Sequence, residues 1–173
     1  MRIGIDISQV AYAGTGVANL TRKLVEQLLA SDTENEYILF FSSLRRKLPM
    51  SVSGKNVTIK TFKFPPTFLD LLWNRLHTLP IESLIGDVDI FISSDWTQPP
   101  SKKAKMVTIL YDLIVYKYPE ETDKKIIETQ KRRLAWVKKE VDAVLCISEA
   151  TKKDASEILK IPKEKLFVVY PGI

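Results

Sequence analysis

The sequence predicts an α/β fold, a doubly wound and mostly parallel sheet of about seven strands with helices on both faces. Strand-like and helix-like segments alternate along its 173 residues. The strand-like segments are continuous apolar runs, which is typical of strands that are covered on both faces. The length suits one domain with a proper core and is short for two domains of ordinary size.

The first half of the chain contains three predicted strands and two predicted helices. Residues 2–8, RIGIDIS, form a β-branched run that stops at polar residues, which indicates a buried strand. Apolar residues recur at helical spacing over 17–30, and the run 37–42, YILFFS, is the second strand. The segment 57–64, VTIKTFKF, alternates with a period of two and is the third strand. A helix is predicted over 67–79, because four leucines share one of its faces: Leu69, Leu72, Leu76 and Leu79.

The second half continues the alternation with four further strands, predicted at 87–94, 104–112, 143–148 and 166–172. A long charged helix is predicted over about 121–140, with four residues facing inward: Ile127, Gln130, Leu134 and Val137. Ser148 is expected to cap a helix over about 149–160, with Glu149 in its first turn. This succession is typical of a Rossmann-like domain, in which ligands lie beyond the carboxyl ends of the strands.

Composition and charge restrict the classes of function without choosing one. Apolar residues make up 45% and charged residues 27%, and no run approaches the ~18 apolar residues of a membrane helix. Asp6 interrupts the first apolar run, which therefore indicates a strand and not a secretory signal. The lone Cys146 lies in an apolar run and indicates a buried thiol, compatible with a reducing cytosol. The net charge of +5 is compatible with binding to nucleic acid, an acidic lipid surface or a phosphorylated ligand. It is equally compatible with a solvated surface that only keeps the protein soluble.

The basic residues gather on the helix predicted over 121–140, as Lys131-Arg132-Arg133 and Lys138-Lys139. These charges fall largely on the face opposite its apolar residues, which predicts a solvated outer face. The alternative is attraction to an anionic lipid surface, at ~1 kcal/mol per charge.

The strand ends, taken together, resemble one family of enzymes. RIGIDIS and GTGVANLTRKLVEQLL resemble its first strand, glycine turn and first helix, and DIFISSDWTQPP resembles its exit from the fourth strand. VTILYDLIVYKYPE resembles its T-I-H-D-L … P-E stretch. The most specific match is VDAVLCISEATKKDASEILKIPKEKLFVVYPGI, which resembles its closing D-x-V-I-x-V-S-E-x-S-K-x-D … V-x-Y-x-G-V block. Over nearly its whole length, the chain resembles the N-terminal domain of a family 4 (group 1) glycosyltransferase of the GT-B architecture.

The resemblance implies half of a sugar transferase that is built from two Rossmann-like domains. In the family, the first domain mostly binds the acceptor, and the second holds most contacts to the nucleotide-sugar donor. No other cofactor and no metal is implied. The chain stops where the second domain would begin, so we expect it to be inactive or nearly so without that domain, supplied in cis or in trans. The expected reaction retains the anomeric configuration, uses a glycan or lipid-linked acceptor, and takes place in the cytoplasm or at the inner membrane face.

One residue departs from the family pattern. The family has histidine in H-D-L, near the transferred sugar, whereas this chain has Tyr111-Asp112-Leu113 and a single histidine, His77. A phenol with an ordinary pKa near ~10 does not carry protons at neutral pH, but it donates hydrogen bonds to hydroxyls or phosphates. Tyr111 and Asp112 are the predicted catalytic residues, Tyr111 through binding and Asp112 by orienting acceptor hydroxyls or as a base. The alternative for Asp112 is a cap for the residues that follow.

The glycine turn Gly14-Thr15-Gly16 is the predicted site for the donor phosphates. Exposed backbone N–H groups and the amino end of the following helix favour anions there. The alternative is a tight turn that only glycine fits. The complete G-x-G-x-x-G fingerprint is absent, because Asn19 occupies the position of the third glycine.

Two further strand ends carry the predicted acceptor-binding residues. Asp95 and Trp96 offer an acid for hydroxyls and an apolar ring face for a sugar, unless Trp96 packs under the proline turn. Ser148 and Glu149 are most simply a helix cap and a first-turn acid, and a sugar contact is the minority interpretation.

Two other functions stay open at this point. The departure at Tyr111 and the early chain end are compatible with a non-catalytic partner domain that docks on a separate donor-binding chain. The basic helix is compatible with a module for nucleic acid or an anionic surface. The sequence has no nucleic-acid recognition motif, so we expect no nucleic-acid partner.

Overall fold

The computed structural model describes residues 1–52 and 54–171 of the chain. Seven parallel strands form one sheet in the order β3-β2-β1-β4-β5-β6-β7. The order changes direction between β1 and β4, which is the switch point of a doubly wound sheet. The predicted Rossmann-like fold is confirmed. The strands are β1 (Arg2–Asp6), β2 (Glu36–Ser42), β3 (Val57–Phe62), β4 (Ile90–Ser93), β5 (Lys105–Leu110), β6 (Ala143–Cys146) and β7 (Leu166–Val168).

Helices of very different length connect the strands. The described residues form α1 (Gly16–Ser31), α2 (Pro66–Leu69), α3 (Glu82–Ile85), α4 (Ile114–Lys117), α5 (Lys124–Glu140) and α6 (Glu149–Glu157). Short 3₁₀ turns occupy Ser8–Ala11, Pro119–Glu121 and Lys163–Lys165. The sequence did not predict α3 and α4, because a single helical turn is too short to show a period.

Helices cover both faces of the sheet, as predicted. Neighbouring residues of β2 point to opposite sides, so Phe40 packs in one apolar cluster and Leu39 in another. The cluster around Phe40 contains Leu134 of α5, and the cluster around Leu39 contains Val25 of α1. Each face of the sheet therefore has its own core.

The predicted helix over 67–79 is wrong in its second half. After α2 the chain forms a π-helical turn over Asp70–Arg75, and no regular helix continues beyond it. A π turn contains an extra residue, so the leucine period no longer follows one face. Leu76 and Leu79 are 60% and 38% exposed, while Trp73 fills the core position in their place.

Other differences lie at the ends of the elements. β1 ends at Asp6, two residues before its predicted end, because the chain turns into a 3₁₀ helix. α6 ends at Glu157, before the predicted residue 160. The predicted strand 166–172 ends at Val168, and Gly172 lies outside the described residues. The free Cys146 is fully buried, which confirms the buried-thiol prediction, and this burial raises the pKa of the thiol to about 11.

Candidate functional site

Four predicted strand ends meet at one edge of the sheet. β1, β4, β5 and β6 are consecutive neighbours and all run in the same direction. The segments that follow them therefore leave the sheet along a single carboxyl edge, on both sides of the switch point. We call this edge, formed by residues 8–16, 94–97, 111–114 and 147–151, the strand-end site.

Tyr111 links its own segment of the strand-end site to the helices α1 and α6. Its phenol oxygen lies 3.5 Å from Oγ1 of Thr21 in α1. Its carbonyl oxygen accepts a hydrogen bond of 3.0 Å from Oγ1 of Thr151 in α6. Burial raises the pKa of Tyr111 above its ordinary value, and the charge of Asp95 raises it further. At neutral pH the phenol is therefore protonated, so it can donate a hydrogen bond but is not available as a base.

Two carboxyl groups lie under the switch point. Asp6 at the end of β1 is 4% exposed and accepts a hydrogen bond of 2.9 Å from the backbone N–H of Ser8. Oδ1 of Asp95 is buried and has no hydrogen-bond partner among the described residues. Burial raises the pKa of both groups, and the charge of Asp6 raises that of Asp95 further. A buried carboxyl oxygen without a partner is costly, which favours a hydroxyl or water as its partner in the complete site.

The α5 helix places a buried cation next to the end of β4, since Nε of Arg133 donates a hydrogen bond of 3.1 Å to the carbonyl oxygen of Ser94. Arg133 is 1% exposed, so the predicted solvated outer face is wrong for this residue. It follows the spacing of the apolar stripe, adjacent to Leu134 and one turn before Val137. Arg132 is half-buried and pairs with Asp70 at 3.0 Å. The exposed members of the basic cluster are Lys131, Lys138 and Lys139.

The glycine turn before α1 is open at its surface. Oγ1 of Thr15 accepts a hydrogen bond of 3.2 Å from the N–H of Ala18 and caps the helix. Gly14 has φ of 91°, so the tight-turn interpretation accounts for this glycine. At Gly16 the backbone does not demand glycine, and no described atom lies within 4 Å of an added Cβ. The amino end of α1 is therefore open to an approaching anion.

Several predicted site residues have a local structural role. Oδ1 of Asp112 accepts a hydrogen bond of 3.0 Å from the N–H of Ile114, as its cap interpretation predicts. Oγ of Ser148 accepts a hydrogen bond of 3.1 Å from the N–H of Thr151 and caps α6, which confirms the cap prediction. Glu149 is exposed in the first turn of α6. The sugar contacts of these residues stay predictions, and so does that of the half-buried Trp96.

Sequence reasoning missed five residues of this region: Asp6, Thr21, Gln130, Arg133 and Thr151. Three of them left a signal, namely an acid inside an apolar strand, and a glutamine and an arginine at the spacing of a buried helical stripe. The two threonines left none, because short polar side chains are common on any helix face.

The fold belongs to the class of doubly wound α/β proteins, in which ligands bind at the carboxyl edge of the sheet. A sequence profile described as Glycosyltransferase Family 4 matches residues 14–173. The chain belongs to that family, which confirms the resemblance and assigns it a glycosyltransferase-type function. A comparison with curated proteins gave no match. Within the described part of the chain, every helix is too short or too polar to cross a membrane.

Proposed function

We propose that this domain forms the acceptor side of a sugar-transfer cleft. A sugar passes from a nucleotide-sugar donor to a hydroxyl of a glycan or lipid-linked acceptor, with retention of configuration. The donor is held mainly by a second domain, in cis or in trans, so the domain alone has little or no activity. The observation that carries the proposal is that Tyr111 contacts both α1 and α6 at the carboxyl edge of the sheet, in a member of this family.

Each group at the strand-end site has a role that suits its protonation and exposure. The protonated phenol of Tyr111 donates a hydrogen bond to a sugar hydroxyl or to a donor phosphate. Asp95 accepts a hydrogen bond from an acceptor hydroxyl, and Asp112, which is exposed, orients or deprotonates the attacking hydroxyl. The open turn at Gly14–Gly16 faces the donor diphosphate when the cleft closes. The remaining acceptor contacts are assigned to Trp96, Ser148 and Glu149.

Replacing Gly16 by alanine tests the diphosphate contact. An added methyl group fits the fold, so Gly16→Ala should leave the unfolding midpoint unchanged or slightly higher. It should obstruct the amino end of α1 and weaken nucleoside diphosphate binding by about 1 kcal/mol, roughly fivefold. Isothermal titration with UDP, GDP and ADP, on protein that includes a donor-binding domain, measures this loss.

Asn19→Ala is the matched control, because Asn19 is exposed on α1 one turn further from the open end. It should leave the affinity for the nucleoside diphosphate unchanged. Equal affinity for the wild type and Gly16→Ala would exclude the turn as a phosphate contact. Tight diphosphate binding without transfer to any acceptor would favour the non-catalytic partner domain.

A contact with anionic membrane is proposed for one surface of the domain. Phe68, Leu71 and Leu76 are 42%, 46% and 60% exposed on the segment that contains the π turn. This segment packs against α5, since Nε1 of Trp136 donates a hydrogen bond of 2.9 Å to the carbonyl of Asn74. Exposed apolar side chains thus lie on the element that adjoins the basic helix, a combination that favours anionic lipid.

Replacing Leu76 by serine should weaken binding to vesicles that contain phosphatidylglycerol by roughly tenfold, because a buried leucine contributes about 1.5–3 kcal/mol. Co-sedimentation of the protein with such vesicles, and with vesicles of phosphatidylcholine alone, measures the effect. Leu44→Ser is the control, since Leu44 is 51% exposed but follows β2. Equal binding to neutral and acidic vesicles would contradict the proposal.

A further inference from the structure

The carboxyl edge of the sheet continues beyond the strand-end site, along β2 and β3. These strands lie beside β1 in the order β3-β2-β1 and run parallel to it, so the segments that follow them leave at the same edge. The segments 43–50, SLRRKLPM, and 63–69, KFPPTFL, contain no acidic residue. They contain four exposed basic residues, namely Arg45, Arg46, Lys47 and Lys63. We call these four side chains the basic rim.

Arg46 of the basic rim packs against the loop that leads into the glycine turn. Its Nη1 donates a hydrogen bond of 2.8 Å to the carbonyl oxygen of Ala11, and its guanidinium carbon lies 4.7 Å from the centre of the Tyr12 ring. The carbonyl oxygen of Tyr12 accepts a hydrogen bond of 3.0 Å from Oγ1 of Thr15. The basic rim is therefore attached to the segment that contains the glycine turn.

The positive charges of the basic rim have no counter-charge nearby. Among the residues that the structure describes, no carboxylate pairs with any of the four side chains, and only Nη1 of Arg46 makes a hydrogen bond. The two segments contribute four positive charges and no negative one, whereas the whole chain has a net charge of +5. A surface that only keeps a protein soluble mixes both signs of charge, so this concentration of one sign favours an anionic ligand.

The acidic groups of the strand-end site lie on the other side of β1. Asp95 follows β4 and Asp112 follows β5, whereas residues 45–47 follow β2. Neighbouring strands are about 4.8 Å apart, so the ends of β2 and β4 are separated by roughly 10 Å. A sugar ring that bears a phosphate group spans a distance of this order. Such a ligand can place its hydroxyl groups at the carboxylates and its phosphate at the basic rim.

We propose that the basic rim binds a phosphate group of the acceptor, and that the acceptor is a sugar phosphate, either free or attached to a lipid through its phosphate. The assignment to the acceptor rests on the proposed function, whereas the anion site does not. Arg46 uses one nitrogen for the carbonyl of Ala11, so its other N–H groups can donate to phosphate oxygens. The other three side chains add positive charge at the same surface.

Titration with inorganic phosphate, followed by NMR shifts of the amides and of the arginine Nε–H groups, tests the anion site on the chain itself. Shifts are expected in residues 43–47 and at Nε of Arg46. Arg45→Gln combined with Lys47→Gln should weaken phosphate binding by roughly fivefold or more, because two unit charges next to the anion are removed. Both side chains are exposed, so this double variant should fold like the wild type.

Lys102→Gln combined with Lys103→Gln is the matched control. These two lysines are exposed and lie just before β5, at the opposite edge of the sheet. The control changes the net charge by the same amount and should leave the phosphate affinity unchanged. An equal loss of affinity in the control would mean that only the overall charge matters, and it would overturn the proposal.

Glucose 1-phosphate and its octyl phosphodiester distinguish the two sources of the phosphate group. Tighter binding of the monoester would support a free sugar phosphate, and tighter binding of the diester would support a lipid-linked one. In either case the affinity should fall in Arg45→Gln combined with Lys47→Gln.

Equal phosphate affinity of the wild type and the Arg45 and Lys47 double variant would overturn the proposal. An equal loss of affinity for UDP would also overturn it, because the basic rim would then bind the donor. In active protein, the double variant should raise KM for a phosphorylated acceptor and leave KM for the nucleotide sugar unchanged. Phosphate binding at the rim of a protein that transfers no sugar would contradict the proposed function and leave the anion site intact.

Discussion

Replacing Trp73 by alanine is expected to lower the free energy of unfolding by about 3–5 kcal/mol, the range for large aromatic side chains in a core. Trp73 is fully buried, and its ring centre lies 5.6 Å from that of Phe40 in β2. Its Nε1 also donates a hydrogen bond of 3.0 Å to the carbonyl of Leu79. The substitution therefore leaves a cavity and releases the end of the segment after the π turn. Urea unfolding followed by circular dichroism measures the loss.

Phe68→Ala is the control for Trp73→Ala. Phe68 belongs to the same segment but is substantially exposed, so its removal should cost less than about 1 kcal/mol. If Trp73→Ala were no more destabilising than this control, Trp73 would not be a core residue, and the described packing of the segment against the sheet would be wrong.

Replacing Asp95 by asparagine is expected to lower kcat/KM for sugar transfer by about 10- to 100-fold. A buried donor or acceptor that loses its partner costs roughly 1–3 kcal/mol, and the amide can accept at only one of the two positions. The loss should appear with every acceptor whose hydroxyl group contacts Asp95, because the substitution removes one accepting oxygen from the protein. Steady-state kinetics with the natural acceptor, on protein that includes the donor domain, measures it.

Asp89→Asn is the matched control for Asp95→Asn. Asp89 lies just before β4, at the opposite edge of the sheet, where its Oδ2 accepts a hydrogen bond of 2.7 Å from the N–H of Arg2. Its replacement should leave kcat/KM unchanged. Equal activity of the wild type and Asp95→Asn would remove Asp95 from the acceptor site.

The sequence was sufficient for the fold because the information for it is local. Apolar runs of β-branched residues mark the strands, and helical periods mark α1 and α5. The order of the strands was not predicted, because the rules for parallel crossovers fix their handedness and not which strands become neighbours. In a parallel sheet the carboxyl ends of the strands share one edge, so the segments near Gly14, Asp95 and Tyr111 were expected there.

The parts that could not be predicted depend on contacts between distant segments. The packing of Trp73 in the core stabilises the π turn before Leu76. The spacing of apolar residues in the local sequence does not reveal this contact. Arg133 is buried because Thr108 and the carbonyl of Ser94 accept its hydrogen bonds, and those partners lie 25 and 39 residues away. From its residue type alone, such an arginine is expected at the protein surface.

The carboxyl edge of this sheet is the face that we propose for binding the sugar-transfer substrates. Amide chemical-shift mapping of the protein with a nucleotide sugar and its acceptor is the decisive experiment for this proposal. We expect shifts in the segments near Gly16, Asp95, Tyr111 and Ser148. Shifts confined to the opposite edge, around Asp89 and the amino ends of the strands, would contradict it.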